Sequence, residues 1–498
     1  MAENVLEQAA KKWPNKSSRL STGFYSIRDK SGAVVPFRMN TDQAAFINNR
    51  HGLDLILKAR QKGFTTVIQL DMLDDCLFKP NTACGVIAHN LSDAKSFFAD
   101  KIKFAYDELP AEFKEVISAT QDAAESMKFS NGSSIRVGTS LRSGTLQNLH
   151  VSEYGKLCAK YPEKAREVRT GAFNTVQAGQ NITVESTAEG HSGHFYDLSV
   201  AAQNLEGKEL TSLDFKFHFA PWFTSEEYKL SQTVLETTEM KEYFEKIAPY
   251  VIETQEHDLT LQQRAWYIKK TEQQGDDMKR EFPSTPTEAF EASVEGAYFS
   301  RQMAAMRKQG RICRIPILED EVYTTWDLGY NDMMAICFWQ DVGMERRLID
   351  YYENSGEGFG HYADILRRKG YSYSHHYMPH DADHHMLTVR ATTRRQEAEE
   401  AGISPITVLS RIATEMSGID SSRAFLPNVW IDEERCDRMI KCLDNYRKEW
   451  DDKMGTWKSM ARHDEFSHGY KAFETASIRP APITYRTPIL TGMRVGVV

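Results

Sequence analysis

The sequence lacks any run of about 18 or more consecutive apolar residues, so no membrane span is expected. Its opening residues, MAENVLEQAAKKWPNK, hold no apolar signal core, and the chain is expected to stay in the cytoplasm. Its seven cysteines (Cys76, Cys84, Cys158, Cys313, Cys337, Cys436, Cys442) form no CxxC pair, which argues against a zinc ribbon and suggests free thiols. Basic residues are not in excess. The formal charge is −9, from 61 Lys and Arg against 70 Asp and Glu, so any nucleic-acid surface must be local. No internal repeat or low-complexity segment is found.

What is present is an ordinary globular composition, 41% hydrophobic and 26% charged, over 498 residues, enough for about two or three domains. From Leu53 to Glu189 apolar runs alternate with helical stretches. LDLILKA, ACGVIAHN, SSIRVGT, NLHVSE and NITVEST read as buried strands, and SDAKSFFADKIKFAYDEL as a helix capped by Ser92. The alternation implies an α/β fold with a parallel-rich sheet. A helical, charged stretch follows over roughly 224–310, including SEEYKLSQTVLETTEMKEYFEKIA and LTLQQRAWYIKKTEQQ. VYTTWDLGY, MMAICFWQD and RRLIDYYE then open a second strand-rich unit, and a Pro- and Thr-rich tail closes the chain.

LILKARQKGFTT (55–66) reads as strand, loop and helix start, the arrangement that closes backbone N–H groups around phosphates. Against the pattern GxxxxGK[ST], Gly63 and Thr65 fit, Lys58 stands at the first glycine and Phe64 replaces the lysine. Lys58, Arg60 and Lys62 supply compensating cations, with Lys58 favoured as the phosphate lysine and Arg60 as its assistant. NLHVSE ends a buried strand in Glu153, where a water-activating carboxylate belongs, and Ser152 stands where an aspartate usually holds magnesium. Read alone, each feature is also compatible with an ordinary strand–turn–helix.

Further along, Asp327 lies within a strand, Asp381 just after one in YMPHDADHH, and Asp464 at the start of a probable helix in RHDEFSHGYKAF. Acids from separate elements are what a two-metal site requires. His468 shares a helix face with Asp464 by i, i+4 spacing. Asp332 and Asp383 are rival ligands. His375, His376, His380, His384 and His385 match no standard zinc spacing and read as flanking, with His380 and His384 able to orient Asp381. RQMAAMRKQGRICRIP carries Arg301, Arg307, Lys308, Arg311 and Arg314 without an acid, either a DNA-contacting stripe or a solvated linker.

Taken in order, these motifs resemble the large terminase subunit of tailed bacteriophages over residues 36–475 or so. PFRMNTDQAAF is similar to the family's adenine-reading segment, KARQKGFTT to its variant phosphate loop, RSGTLQNLHVSE to its approach to the catalytic acid, and ESTAEG to its coupling motif. FKFHFAPWF, LTLQQRAWY and REFPSTPTEAFEAS are similar to its lid region, with Trp222, Trp266 and Phe290 read as core packing. The resemblance implies a P-loop ATPase domain with a helical lid, followed by a ribonuclease-H-like nuclease domain. It divides the chain into a lead-in (1–35), ATPase core (36–210), lid (211–300), basic linker (301–320), nuclease (321–477) and tail (478–498).

The resemblance also implies roles. Gln43, Lys58, Arg60, Gly63, Thr65 and Thr66 would bind ATP with Mg2+, Glu153 would activate water, and Arg142 would act in trans on a neighbour's nucleotide. Ser186 and Thr187 would couple hydrolysis to movement. Asp327, Asp381, Asp464 and His468 would hold two divalent ions, Mg2+ or Mn2+, and Arg301, Arg307, Lys308 and Arg311 would meet DNA. Double-stranded DNA, the terminase small subunit, the procapsid portal and further copies in a ring are the implied partners, in the host cytoplasm. A helicase or repair ATPase with an appended nuclease is the alternative, but further helicase motifs are missing after the first lobe.

Overall fold

The computed structural model describes residues 11–291, 296–329, 332–384, 392–451 and 456–480. It forms two compact units, Met1–Glu295 and Gly296–Val498. His385 and the tail beyond 480 lie outside the described residues.

The first unit is built on an eight-stranded sheet. Its central strands run in the order Lys216–Ala220, Leu53–Lys58, Val176–Ser186, Leu146–Ser152, Ala83–Ile87 and Ser134–Gly138, all parallel. Most are short apolar runs buried on both faces, as parallel strands covered by helices must be. Two antiparallel strands, Ala119–Ala123 and Ser126–Phe129, complete the edge. Neither was legible as a strand, because their mainly polar residues lack a clear apolar pattern. Lys216–Ala220 lies within the segment read as lid, yet it pairs with the phosphate-loop strand as part of the sheet.

Helix boundaries differ from expectation in two places. The first helix after the 83–87 strand is capped by Asn90, whose side chain accepts the Asp93 amide, rather than by Ser92, and it continues through a π turn to Asp107. Residues 225–237 are irregular, and the helix starts only at Thr238, with Thr237 as its cap. Beyond it Trp222, Trp266, Tyr228 and Phe282 form one aromatic cluster, Tyr228 stacking on Trp266 at 4.5 Å, so the tryptophans pack as expected.

The second unit holds a seven-stranded mixed sheet ordered Ile312–Cys313, Val429–Asp432, Glu345–Ser355, Met333–Val342, Val322–Asp327, Tyr373–Met378 and Ile406–Val408. The three central strands, Glu345–Ser355, Met333–Val342 and Val322–Asp327, pair antiparallel, and the outer ones join parallel. The helix Ser467–Ser477 packs on the Val322–Asp327 strand, where Thr325 and Thr475 hydroxyls donate to the Ala472 and Trp326 carbonyls.

The stretch read as a basic linker is folded into this unit. Met303 and Met306, three residues apart, bury one face of the helix Ser300–Lys308. Arg311 is buried and donates to the Leu426 and Val429 carbonyls at 2.7 Å each.

Candidate active sites

In the first unit the candidate side chains meet at the carboxyl ends of three adjacent strands, where parallel sheets place ligands. Lys58 ends one strand, Glu185 sits near the end of the next, and Ser152 ends the third, with Glu153 just after it. The register sets Glu185 between Ile56 and Ser152. Side chains alternate along a strand, so His150, Ser152 and Glu185 share one face.

Lys58, almost wholly buried, reaches Glu153 Oε1 at 3.0 Å and Glu185 Oε2 at 3.1 Å. Thr65 Oγ1 donates to Glu185 Oε1 at 2.8 Å and Ser152 Oγ to the same oxygen at 2.7 Å, with His150 Nε2 at 3.4 Å. Burial would raise the Glu185 carboxyl, but Lys58, His150 and Ser152 outweigh it and hold the group well below its ordinary range. Burial likewise opposes the charge on Lys58, and its two carboxylates hold that charge nonetheless.

Two backbone features mark the site. Glu153 has φ 53°, a left-handed conformation uncommon for a side-chain-bearing residue and typical of functional positions. Gly63, at φ 77°, heads the helix Phe64–Phe78, and a Cβ there would stand 2.5 Å from the Gln43 Nε2 atom. Thr66 follows in the first turn, its amide donating to the Gly63 carbonyl at 3.1 Å.

The other expected residues are placed as follows. Gln43 donates to the Gly63 carbonyl at 2.8 Å and accepts the Asn40 amide, so its side chain braces the loop. Arg60 is exposed and bridges Glu281 at 2.8 Å. Lys62 is fully buried, with its ammonium on Asp42, Thr224 and Ser225. Arg142 is exposed and pairs with Glu167 at 3.0 Å. Ser186 and Thr187 are buried, and the Ser186 hydroxyl has no hydrogen-bond partner among the described residues. Gly155 lets the helix after Glu153 approach them, since a Cβ there would meet the Thr187 carbonyl at 2.7 Å and Ser186 Oγ at 2.9 Å. Glu185 and His150 were not singled out from the sequence. The buried acid within ESTAEG was the available signal.

In the second unit Asp327, at its strand end, faces His468 on the helix Ser467–Ser477, with Asp327 Oδ2 and His468 Nδ1 2.9 Å apart. His468 Nε2 lies 3.2 Å from Asp332, and His463 Nε2 lies 3.4 Å from the same carboxylate. Asp332, His463 and His468 bring ligand atoms within 4.8 Å of one another. They border a cavity of about 480 Å³ with Asp327, Arg394 and Lys471. The mixed carboxylate and imidazole donors fit a divalent ion, with the nitrogens favouring manganese over magnesium.

Burial raises the Asp327 carboxyl, and the charge of Asp381 adds to this against the pull of His468. Asp381, in the turn His380–Asp383, pairs with Arg394 at 3.1 Å, and Arg394 also donates to the Leu328 carbonyl. Asp464 differs: its carboxylate accepts the Phe466 amide at 3.0 Å and lies 3.6 Å from Arg462, shaping the helix entry. His463 was missed. Asp332 was only a rival, and Asp383 is exposed, 3.9 Å from Arg395. His375 and His376 bond Thr407 and Thr324, and burial pushes the His376 imidazole down to about 4. His380 and His384 pack ring edge to face at 5.5 Å.

Arg301 and Lys308 are exposed on their helix, and Arg307 forks onto Asp444 at 2.9 and 2.5 Å. Arg311 is committed to main-chain carbonyls, so its buried guanidinium serves the fold rather than DNA.

No family model and no curated protein matches the chain. Among solved structures, the HK97 bacteriophage large terminase shares 13% identity, with 93% of this chain and 98% of that chain covered and a TM-score of 0.44. A large terminase from a thermophilic bacteriophage, in complex with ATP-gamma-S, shares 10%, with 86% and 93% covered and a TM-score of 0.29. The large terminase nuclease of thermophilic phage G20c with bound cobalt shares 13%, with 37% and 97% covered and a TM-score of 0.26. The chain is similar to bacteriophage large terminases. No helix among the described residues is long and apolar enough to cross a membrane.

Proposed function

We propose that this chain is a DNA-packaging motor subunit of the large-terminase kind, with an ATPase site in its first unit and a metal-dependent endonuclease site in its second. The observation that carries the reading is the convergence of Lys58, Thr65, Glu153 and Glu185 at the carboxyl ends of parallel strands. This set pairs a phosphate cation and a magnesium-compatible hydroxyl with two acids, as nucleotide hydrolysis needs.

ATP with Mg2+ sits on the loop from Lys58 to Thr66, and Gln43 fixes that loop through Gly63. Glu153 takes the proton of the attacking water. Arg142, exposed on its own chain, completes a neighbouring copy's site in a ring. Ser186 and Thr187, packed against Gly155 behind Glu153, pass the change to the segment that braces the loop through Glu281 and Tyr228.

In the second unit Asp327, Asp332, His468 and His463 hold divalent ions, Mg2+ or Mn2+, with Asp381 beside them. When bound, such ions activate water and stabilise the leaving oxygen of a phosphodiester. His468 orients Asp327, while Arg394 fixes Asp381 against Leu328. Exposed Arg301, Arg307 and Lys308 neutralise DNA phosphates. Double-stranded DNA, a small subunit and the procapsid portal are the partners, in the host cytoplasm.

The test is an in vitro packaging reaction with procapsids, ATP and linear DNA. Protection of DNA from added nuclease that requires both ATP and this chain is expected. ATP hydrolysis without any DNA protection, in the presence of portal-bearing procapsids, would contradict the motor reading.

A further inference from the structure

We infer that Glu185 is the carboxylate through which this chain would hold the magnesium of bound ATP, replacing an aspartate that position 152 does not supply. The inference rests on the ATPase reading above. In phosphate-loop enzymes the loop hydroxyl binds the ion, and an acid at the end of a neighbouring strand steadies hydroxyl and ion together. Position 152, immediately before Glu153, is a serine.

The missing carboxylate is supplied one strand away. Thr65 Oγ1 and Ser152 Oγ both donate to Glu185 Oε1, at 2.8 and 2.7 Å. Ser152 thus occupies the usual acid position and directs its hydroxyl onto the acid next door. The register explains the exchange, because Ser152 and Glu185 are direct partners in parallel strands and point the same way. A carboxylate at both positions would set two like charges side by side, so one acid and one hydroxyl satisfy the pair. The hydroxyl and carboxylate oxygens gathered at Oε1 are the kind of donor that suits magnesium. On the other side Lys58, which ends the adjacent strand, lies 3.1 Å from Oε2.

A purely structural Glu185, serving only to anchor Lys58, would leave nucleotide binding equally sensitive to magnesium after substitution. The discriminating experiment uses the full chain and measures the affinity of a fluorescent ADP with magnesium and with chelator. It compares the parent, Glu185→Gln, and Ser152→Asp combined with Glu185→Gln. Manganese bound in the presence of ADP is counted by electron paramagnetic resonance. We expect magnesium to strengthen nucleotide binding by the parent, and Glu185→Gln to lower ion affinity by roughly 10–100-fold, so that the ratio of affinities with magnesium and with chelator falls. The combined variant should regain much of the magnesium effect, because it returns a carboxylate to the neighbouring strand.

Full magnesium enhancement in Glu185→Gln, or no recovery in a folded combined variant, would overturn the inference and leave the ATPase reading standing. Absence of nucleotide binding by the parent would overturn the ATPase reading and this inference with it. Should Glu185→Gln fail to fold, Glu185→Asp shortens the side chain by one methylene and keeps the charge. It should then weaken the manganese binding counted in the presence of ADP, and unaltered manganese binding would overturn the inference.

Discussion

Lys58 Nζ lies 3.0 Å from Glu153 Oε1, so the cation of the phosphate loop and the acid proposed to activate water share one ion pair. A nucleotide phosphate competes for that lysine and would release Glu153 toward water. Replacing Glu153 by Gln should therefore lower ATP turnover by at least about 10²-fold while leaving nucleotide affinity equal or higher. Single-turnover hydrolysis and equilibrium nucleotide binding measure the two quantities. Substantial residual turnover would mean that another acid, Glu185 first among them, activates water.

The three loop cations should separate by function. Lys62 is buried against Asp42, Thr224 and Ser225, so Lys62→Ala leaves an uncompensated carboxylate and should destabilise the first unit by roughly 3–5 kcal/mol in urea unfolding. Arg60 is exposed, and Arg60→Ala should cost under about 1 kcal/mol. Lys58→Ala should abolish nucleotide binding. Weakened nucleotide binding by Lys62→Ala protein that remains folded would show that Lys62 reaches phosphate after all.

Acid should loosen the first unit through Asp54. Its carboxylate is fully buried, and burial raises its pKa, but His218 at 2.8 Å, the His51 amide and Arg50 outweigh this and hold it below the ordinary value. A depressed folded pKa gives stability that is present above the unfolded value, about 3.9, and is lost as pH falls through the folded value. The stability gap between the parent and Asp54→Asn should thus shrink as pH falls below about 4. A gap that holds or widens below about pH 4 would contradict this assignment.

Much of this was legible in the sequence because it is local. The strand–loop–helix at 53–66, the acid ending NLHVSE and the strand holding Asp327 are contiguous patterns, and the structure places each as a strand, a loop or a turn of the expected kind. What was not legible depends on strand order. Glu185 is distant in sequence from both Thr65 and Ser152, and only the placement of its strand between Leu53–Lys58, which leads into the helix bearing Thr65, and the strand of Ser152 brings the three together. The same holds for Lys62, whose burial depends on Thr224 and Ser225, and for Arg311, whose carbonyl partners lie beyond residue 425. Asp332 and His463 meet through a turn and a helix entry that no spacing rule links.

The second unit should bind metal through His468 and Asp332 more than through Asp464. Manganese should raise the thermal midpoint of the parent, and His468→Ala or Asp332→Ala should reduce that increment. Asp464→Ala should instead lower the midpoint without metal, because its carboxylate holds the Phe466 amide, and should retain more of the manganese increment. Loss of the whole increment in Asp464→Ala alone would return Asp464 to the ligand set.

The most direct measurement of the central claim, two separate active sites on one chain, is plasmid cleavage and ATP hydrolysis followed side by side. The parent, Glu153→Gln and Asp327→Ala would each be assayed with manganese, magnesium or chelator. Asp327→Ala is expected to lose metal-dependent cutting and keep its ATPase, and Glu153→Gln to do the reverse. Both activities falling together in either folded variant, or no cutting with any metal by an ATP-hydrolysing parent, would contradict the account.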